Sequence, residues 1–408
     1  MQNFKSLLGL VLGASILTGC STGLPTGSNT SITYQPGSIN LNVFRADGVS
    51  KKQVLVTFKG QANLQEFQTR NKMRVSNVIA PINAAAIEIS GMSPEAAVAK
   101  LKADPSVASA EFDRAAILDD VKVNDPLRGK QYALDKVNAP AAWDITMGKS
   151  SVTIAIVDSG VDLTHPDLKA KIVKPTSTID ASAKDDMGHG THVAGIAAAI
   201  ANNKEGVAGL AANAKIMPVR VLGNQAGSAA SVAEGVIYAA DNGADVINMS
   251  LGFYDKPEVL EKAVKYALSK NVVIIATMGN NNIERRRYPA AFDGVIAVGS
   301  TDSADKKSHF SNFGDWISVS APGTDILSTY PTYQVQPGRP TSYASLSGTS
   351  MAAPLVTGLA GLIRSQHPNM APAQVKALIE KSSVDLGAKG FDKEFGHGRI
   401  DAFKAVSK

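Results

Sequence analysis

The chain has 408 residues, which is long enough for two or three domains of ordinary size. Hydrophobic residues make up 44% of it and charged residues 19%, which predicts a globular protein with a large core and excludes a disordered chain. The formal net charge of +5 is too small for a nucleic-acid-binding footprint, so we expect no nucleic-acid partner.

The first 20 residues are organised like an export signal. Lys5 supplies positive charge, and residues 7–17 form an apolar stretch shorter than the roughly 20 residues that span a bilayer. The stretch ends in Leu-Thr-Gly-Cys at 17–20, which resembles the lipobox of bacterial lipoproteins and implies a lipid on Cys20. An ordinary signal peptide that contains a cysteine is the alternative. Cys20 is the only cysteine, so no intrachain disulfide can form.

A tether and a small α+β unit are predicted next. Residues 21–40 are rich in Ser, Thr, Gly and Pro, which is typical of a flexible tether, and we expect the tether to cover residues 21–50. Strands are predicted at 53–58, 84–89 and 107–112, and a short helix at 63–71. A second helix begins at Ser93-Pro94-Glu95, where a capping serine precedes a proline at the first helical position. We expect this domain to cover residues 51–118.

From residue 125 to residue 408, strands alternate with helices, which is the pattern of a parallel sheet in an α/β domain. Helices are predicted at 191–201, 231–242 and 257–269. Apolar strands are predicted at 152–157, 215–221, 245–250, 272–277, 295–300 and 316–321.

Three short Gly-containing motifs occur in this second region. They read VDSG at 157–160, GHGTH at 188–192 and GTSMAAP at 348–354. Taken singly, each motif has a plainer interpretation. The first could be an ordinary turn, the second a helix start or half of a metal site, and the third a helix cap. Together they present a carboxylate, an imidazole and a serine in the chain order of one known catalytic triad. The motifs resemble those of the subtilisin-like serine proteases, over about residues 125–405.

The resemblance implies both a fold and a reaction. The fold is a subtilisin-like, doubly wound, mostly parallel sheet with helices on both faces, preceded by a small ferredoxin-like α+β propeptide domain. The reaction is peptide-bond hydrolysis through an acyl-enzyme on Ser350, with His189 as general base and Asp158 orienting its ring. His192, one helical turn after His189, is interpreted as structural because nothing nearby supplies a third metal ligand.

Other residues match the family's substrate cleft. Met-Gly-Asn at 278–280 follows an apolar strand, which makes Asn280 the expected side-chain donor to the oxyanion, with Gly279 beside it. An extended substrate would pair its backbone with one edge formed by Ser250, Leu251 and Gly252 and with an opposite edge near Gly227. Backbone pairing tolerates many sequences, so we expect a broad endopeptidase acting on proteins or peptides.

The loop 280–288 has the length seen in thermitase-like members and contains three consecutive arginines, 285–287. It would place Arg287 at the floor of the first specificity pocket. Our hypothesis is that Arg287 points inward and admits acidic side chains. The alternative is that it points to solvent while its aliphatic stem packs.

A structural calcium ion is implied by the resemblance. Asp125 and Asp167 match the two carboxylates of the family's strong site, and Asn203 falls in the matching loop. The site would be completed by the backbone carbonyls of Ala201, Glu205 and Val207. The loop residues have an ordinary structural interpretation as well.

The small domain at 51–118 resembles the propeptide of these proteases, which chaperones and inhibits its enzyme. Residues 119–124 would be the processing segment. With a lipid on Cys20, the precursor would be an exported cell-envelope lipoprotein attached to the membrane through that residue alone. Cutting at 119–124 would separate the anchor from the catalytic domain, so we expect activation and release to be one event.

Two alternatives of different classes remain open from the sequence. An α/β-hydrolase-type esterase could use Ser350 with Asp385 and His397, which follow in that fold's order, but it leaves Asp158 and His189 unexplained. A catalytically silent peptide-binding lipoprotein would have no need for all the catalytic groups. A second Asp-Thr/Ser-Gly for an aspartic protease and a His-Glu-x-x-His helix for a zinc protease are both absent from the sequence.

Overall fold

The structure is a computed structural model that describes residues 43–45, 47–115, 123–223 and 226–408. The expected signal sequence with Cys20, most of the expected tether and residues 119–122 of the expected processing segment lie outside the described residues.

The N-terminal unit is a four-stranded antiparallel sheet with two helices. The sheet order β2-β3-β1-β4 and the βαββαβ sequence of elements are those of a ferredoxin-like fold, as predicted. The Asn63 side chain accepts a hydrogen bond from Glu66 N and caps the first helix, and Ser93 does the same for the second through Ala96 N. The elements are β1 (Val49–Phe58), α1 (Leu64–Asn71), β2 (Val75–Ile79), β3 (Ala84–Glu88), α2 (Pro94–Lys102) and β4 (Val107–Arg114).

The second unit is a larger α/β domain in which strands and helices alternate. Its elements are α3 (Tyr132–Lys136), α4 (Ala139–Trp143), β5 (Thr153–Asp158), β6 (Thr176–Ser177), α5 (His189–Ala198), β7 (Lys215–Arg220), α6 (Ala229–Asp241), β8 (Val246–Met249), α7 (Glu258–Ser269), β9 (Val273–Thr277), β10 (Ile296–Thr301), β11 (Val319–Pro322), β12 (Ile326–Thr329), β13 (Tyr343–Leu346), α8 (Thr349–Gln366), α9 (Pro372–Ser382) and α10 (Ala402–Val406).

Seven of these strands form one sheet in the order β11-β10-β9-β8-β5-β7-β6, and every pairing in it is parallel. The prediction of a mostly parallel sheet is therefore confirmed. The chain winds from β5 to β7 in one direction and from β8 to β11 in the other. Ligands of such sheets bind beyond the carboxyl ends of the strands where the winding reverses, which here is between β5 and β8.

Helices cover both faces of this sheet, as predicted. Alternate residues of β5 point to opposite faces: Ile154 and Ile156 pack into the layer of α5 and α8, and Ala155 and Val157 into that of α6 and α7. Side chains on both faces of β5 are buried, which explains its continuous apolar run.

The hairpin of β12 and β13, which the sequence did not predict, packs against α5. Thr329 Oγ1 donates to Thr191 O at 2.7 Å, and Ser328 Oγ donates to His192 O at 2.8 Å. His192 itself is buried and donates through Nε2 to Ala344 O at 2.9 Å. Burial lowers the pKa of His192 to about 3, so its ring stays neutral and ties α5 to the hairpin. Across the described ranges, no helix combines the length and apolar character needed to cross a membrane.

Candidate active site

Asp158 is the last residue of β5, so its side chain lies at the carboxyl edge of the sheet. It is fully buried, and its Oδ1 accepts hydrogen bonds from Ser159 N and from His189 Nδ1, both at 2.7 Å. Its Oδ2 has no partner among the described residues. One carboxylate oxygen therefore binds both the backbone of the turn and the imidazole.

His189 is the first residue of α5, and glycines on either side allow it to reach Asp158. Gly188 has a φ of 85°, in the left-handed region that favours glycine. At Gly190 a Cβ would overlap the carbonyl oxygen of Gly160, so the helix can approach the turn after β5 only with glycine there. The two glycines place the ring beside the end of the strand.

The charge of Asp158 favours the protonated form of His189. Burial lowers the pKa of His189, but the charge and hydrogen bond of Asp158 raise it, together with the charge of buried Asp185, and the net pKa is raised. Asp158 thus stabilises the imidazolium that forms when the ring accepts a proton.

Asp185 holds the loop before His189 in place, and sequence reasoning missed it. It is fully buried, and its Oδ1 accepts hydrogen bonds from Ser159 Oγ and Gly188 N, both at 2.9 Å. Its Oδ2 accepts from Thr191 N at 2.9 Å and from Thr191 Oγ1 at 2.6 Å. Burial raises the pKa of Asp185, while these donors oppose the shift. It lies just before the GHGTH motif but outside it, and its contact with Ser159 forms only in the folded chain.

Ser350 lies in the first turn of α8, next to the carboxyl end of β8. Its Oγ donates to Ser250 O at 3.2 Å, and Ser250 Oγ donates to Ser350 O at 2.9 Å. Within the described part of the chain, no hydrogen bond joins Ser350 Oγ to His189. The hydroxyl must therefore rotate before it can pass a proton to the ring, and such contacts often tighten only when substrate is bound.

Asn280 lies beside Ser350 in an arrangement that leaves its amide nitrogen available. Asn280 Oδ1 accepts hydrogen bonds from Thr349 N at 2.9 Å and Thr349 Oγ1 at 2.7 Å. A Cβ built on Gly348 would lie 3.3 Å from Asn280 Nδ2 and 3.6 Å from Ser350 N. Two N–H donors thus flank one small space that glycine keeps open, which is the geometry of an oxyanion hole.

Two further residues, whose roles the sequence did not indicate, fix the turn containing Asn280. Thr349 is fully buried, and its Oγ1 also accepts a hydrogen bond from Gly279 N at 3.1 Å. Asn312 is fully buried as well; its Nδ2 donates to Met278 O at 3.0 Å and its Oδ1 accepts from Asn281 N at 2.9 Å. These contacts hold both sides of the turn, so the Asn280 amide has a defined orientation.

A cavity of about 310 Å³ opens at this edge of the sheet. It brings most of the expected substrate-binding residues together with His189, and Gly279 lies next to it, against the Arg287 side chain. Arg287 Nη2 donates to Gly252 O at 3.2 Å, so this side chain points inward and not to solvent. The lining residues are Met187, His189, Leu222, Ala226, Gly227, Ser250, Leu251, Gly252, Phe253 and Arg287.

The residues expected to bind calcium lie together at another site. Asp125 and Asp167 are buried, and Asn203 contacts both: its backbone N donates to Asp125 Oδ1 at 3.3 Å and its Nδ2 to Asp167 Oδ1 at 2.8 Å. Val207 N donates to Asp167 Oδ2 at 3.0 Å, and Glu205 N donates to Asn203 Oδ1 at 2.9 Å.

The side chains at this site offer oxygen atoms, the ligand type that calcium prefers, although both carboxylates also accept hydrogen bonds, from Asn202 N at 2.9 Å and from Tyr343 Oη at 3.0 Å. Burial raises the pKa of Asp125, and the neighbouring charge of Asp167 adds to that effect. Neither carboxylate forms an ion pair with a described residue within 4 Å, so a divalent cation would offset two buried charges. The described residues contain no group of three or more His, Cys, Asp or Glu side chains suited to a metal. Ala201 is half-buried beside this loop.

The residues of the esterase alternative lie elsewhere. Asp385 Oδ2 accepts from Gly390 N at 2.9 Å, and the His397 ring stacks edge-on against Phe391. Among the described residues, no hydrogen bond joins either of them to Ser350, whereas His189 binds Asp158 directly.

A serine, an imidazole and a buried carboxylate at the carboxyl edge of a doubly wound sheet define the class of serine hydrolases. Known proteins narrow this class to a family. The subtilase family profile matches residues 149–398, and a profile of the fervidolysin N-terminal prodomain matches residues 50–113. The chain belongs to the subtilase family; it is a subtilisin-like serine protease with an N-terminal prodomain.

Individual relatives agree with this assignment. The chain is 37% identical to a thermophilic serine proteinase of Bacillus sp. (strain AK1), with all of both chains covered. It is 45% identical to thermitase of Thermoactinomyces vulgaris, over 69% of this chain and 98% of the relative. A solved protease structure from Pseudoalteromonas arctica PAMC 21717 superposes with a TM-score of 0.66 at 33% identity, over 70% of this chain and 98% of the other. The predicted fold and enzyme class are confirmed, and neither alternative function is favoured.

Proposed function

We propose that Asp158, His189, Ser350 and Asn280 form the catalytic centre of an exported, self-processing endopeptidase. The observation that carries this proposal is the 2.7 Å hydrogen bond between His189 Nδ1 and buried Asp158, at the rim shared by Ser350 and the Asn280 amide. This arrangement supports acyl transfer once the Ser350 hydroxyl turns from Ser250 O toward His189.

The reaction follows from this geometry. Ser350 Oγ attacks the substrate carbonyl carbon while His189 Nε2 takes the hydroxyl proton, and Asp158 stabilises the resulting imidazolium. The carbonyl oxygen becomes an oxyanion that accepts hydrogen bonds from Asn280 Nδ2 and Ser350 N. His189 then gives the proton to the leaving amine as the C–N bond breaks, which leaves an acyl-enzyme. A water molecule, deprotonated by His189, attacks the acyl carbon and frees Ser350.

The substrate would lie extended in the cleft between residues 250–252 and the strand end near Gly227. Support comes from the cavity, which is lined by both segments and by His189. Main-chain pairing of this kind reads few side chains, so cleavage should tolerate many sequences outside the first pocket.

The N-terminal domain would act as an inhibitor and folding aid until it is cut away. We propose the boundaries 51–118 for this domain, 119–124 for the processing segment and 125–408 for the catalytic domain. The match to a fervidolysin prodomain at 50–113 supports the first of these, and strand β4 ends at Arg114, shortly before the proposed cut.

We further propose that Cys20 carries a lipid and residues 21–50 tether the precursor to the cell envelope. The lipobox-like sequence at 17–20 supports this. Processing at 119–124 would then release the catalytic domain. Fractionation of processed cells should place the catalytic domain in the soluble fraction, and a catalytic domain that stays membrane-bound and active would exclude release.

A structural calcium ion would bind Asp125, Asp167 and the side-chain oxygen of Asn203, together with the carbonyls of Ala201, Glu205 and Val207. These six oxygens meet the lower limit of calcium coordination. The Asn203 amide would have to turn, because its nitrogen faces Asp167. Bound calcium would neutralise the two buried carboxylates and link residues before and after α5.

The central test is self-cleavage of the purified, full-length chain. The wild-type precursor should convert to two fragments separated within residues 119–124, and Ser350→Ala should remain a single chain because the nucleophile is gone. Ser345→Ala, which alters an exposed serine on β13, is the matched control and should process normally. Conversion of purified Ser350→Ala at the wild-type rate would contradict the proposed centre.

A further inference from the structure

The three consecutive arginines of the 280–288 loop have different surroundings. Arg286 Nη2 forms an ion pair with Asp315 at 2.8 Å, and the guanidinium carbon of Arg285 lies 4.5 Å from the Tyr254 ring centroid. Arg287 forms no ion pair with any described residue within 4 Å and lines the cavity that contains His189. Of the three arginines, Arg287 therefore faces the cleft, and it has no carboxylate partner among the described residues.

The Arg287 side chain lies against two glycines, Gly252 and Gly279, that come from different segments of the chain. A Cβ on Gly252 would lie 2.6 Å from Arg287 Nε, and a Cβ on Gly279 would lie 2.8 Å from Arg287 Nη1. Any larger residue at either position would displace the guanidinium. The glycines therefore leave a slot, and the arginine occupies its inner end.

Most of the hydrogen-bonding capacity of this guanidinium is unused. Nη2 donates to Gly252 O at 3.2 Å, while Nε is buried and has no partner among the described residues. A guanidinium has five N–H donors in a fork that matches a carboxylate. A partly buried cation without a counter-charge is unfavourable unless a ligand supplies one. Burial lowers the pKa of Arg287, but arginine stays protonated throughout the working range of proteins.

The position of the slot identifies which substrate residue would enter it. Gly252 follows Ser250, whose carbonyl accepts the Ser350 hydroxyl, and Gly279 precedes Asn280, the proposed oxyanion donor. In a bound peptide, one residue has its carbonyl carbon facing Ser350 and its carbonyl oxygen facing Asn280. The side chain of that residue would enter the slot beside Gly252 and Gly279. This is the residue immediately before the cleaved bond.

We infer that Arg287 selects peptides with Glu or Asp immediately before the cleaved bond. This inference rests on the proposed function. The carboxylate pairs with the free edge of the guanidinium, which supplies the counter-charge that the protein itself lacks. A large apolar side chain would compete with the guanidinium for the slot and leave the cation unpaired. The cleft thus tolerates many sequences overall but discriminates at this one position.

The test is a set of fluorogenic peptides that differ only in the residue before the cut, with Glu, Gln, Leu and Ala compared on the mature enzyme. Glu and Gln have the same shape, so their ratio isolates the charge. We expect kcat/KM for Glu to exceed that for Gln by about tenfold or more, the size of effect seen for charge-assisted hydrogen bonds in buried sites.

Arg287→Gln should abolish this ratio and raise kcat/KM for Leu, because the slot loses its cation. Arg286→Gln removes an equal charge one residue away, from the pair with Asp315, and should leave the Glu-to-Gln ratio unchanged. Denatured casein, which offers many cleavage positions, monitors general proteolysis in every variant.

The outcomes separate this inference from the function on which it rests. Equal rates for Glu and Gln, or an unchanged ratio in Arg287→Gln, would overturn the inference while casein cleavage upholds the proposed function. A preference for Ala over Glu would mean that Arg287 merely fills the slot, which also overturns it. Loss of casein and peptide cleavage in the wild type, matching Ser350→Ala, would overturn both.

Discussion

Replacing Asn280 by alanine tests the proposed oxyanion hole. The structure offers two donors at this point, Asn280 Nδ2 and Ser350 N. They lie 3.3 and 3.6 Å from the position that a Cβ built on Gly348 would take. Asn280→Ala removes one donor and leaves the backbone donor in place. Loss of one such donor in subtilisin lowers kcat by about 10²–10³, equivalent to about 2.7–4 kcal/mol of transition-state stabilisation. We expect the same range here.

The kinetic signature of this change is as important as its size. The oxyanion forms only after attack, so Asn280 binds the transition state more strongly than the substrate, and KM should stay nearly constant while kcat falls. Asn280 is exposed, but its Oδ1 accepts two hydrogen bonds from buried Thr349, so its replacement should lower the melting temperature modestly without unfolding the protein. Steady-state hydrolysis of one peptide and thermal unfolding are the two measurements. A kcat within threefold of wild type, or a rise in KM at constant kcat, would refute the reasoning.

Thr349 provides a second-site control for the same argument. Its Oγ1 donates to Asn280 Oδ1 at 2.7 Å and so keeps the amide nitrogen turned toward the space beside Gly348. Thr349→Val should lower kcat by about tenfold, and Thr349→Ser should restore it. Because this effect acts through Asn280, Thr349→Val should lower kcat no further in the Asn280→Ala background. Independent, additive losses in the double variant would contradict the positioning role.

Two other predictions concern pH and calcium. His189 must be neutral to accept a proton, so kcat/KM should fall as pH drops below the raised pKa of His189. Asp158→Asn should lower that pKa, shift the acid limb of the pH profile to lower pH and reduce kcat by about 10⁴. A shift of the acid limb to higher pH would contradict the role of Asp158. Removing calcium with a chelator should lower the melting temperature of the mature wild-type enzyme, as measured by calorimetry. Asp125→Asn should have a lower melting temperature from the outset, and the chelator should change it little. An equal response of both proteins to the chelator would exclude Asp125 as a ligand.

Much of the fold was predictable because helix and strand patterns are local. The strand expected at 152–157 is observed at Thr153–Asp158, and the helix expected at 257–269 at Glu258–Ser269. Strand β2 was not predicted, since most of its side chains are exposed and it shows no alternation of apolar and polar residues. It owes its conformation to pairing with β3.

The site was predictable only in part. The three motifs indicated Asp158, His189 and Ser350, because their local sequences are distinctive. The residues that orient them were not indicated. Thr349 binds Asn280 across 69 positions of the chain, and Asp185 holds Gly188 and Thr191 by backbone contacts that any acidic residue in a suitable loop could make. Their roles depend on hydrogen bonds that form only in the folded state.

The sequence by itself determined the family, the presence of a prodomain and the order of the reactive groups, since each is written in short stretches of neighbouring residues. The sequence placed Arg287 at the floor of the first pocket but left open whether its side chain points inward, and only the tertiary structure decided this. Asp315 pairs with Arg286, and the space left by Gly252 and Gly279 admits the Arg287 guanidinium. Burial and charge pairing depend on residues brought together from distant parts of the chain, and these two properties give Arg287 the role inferred for it.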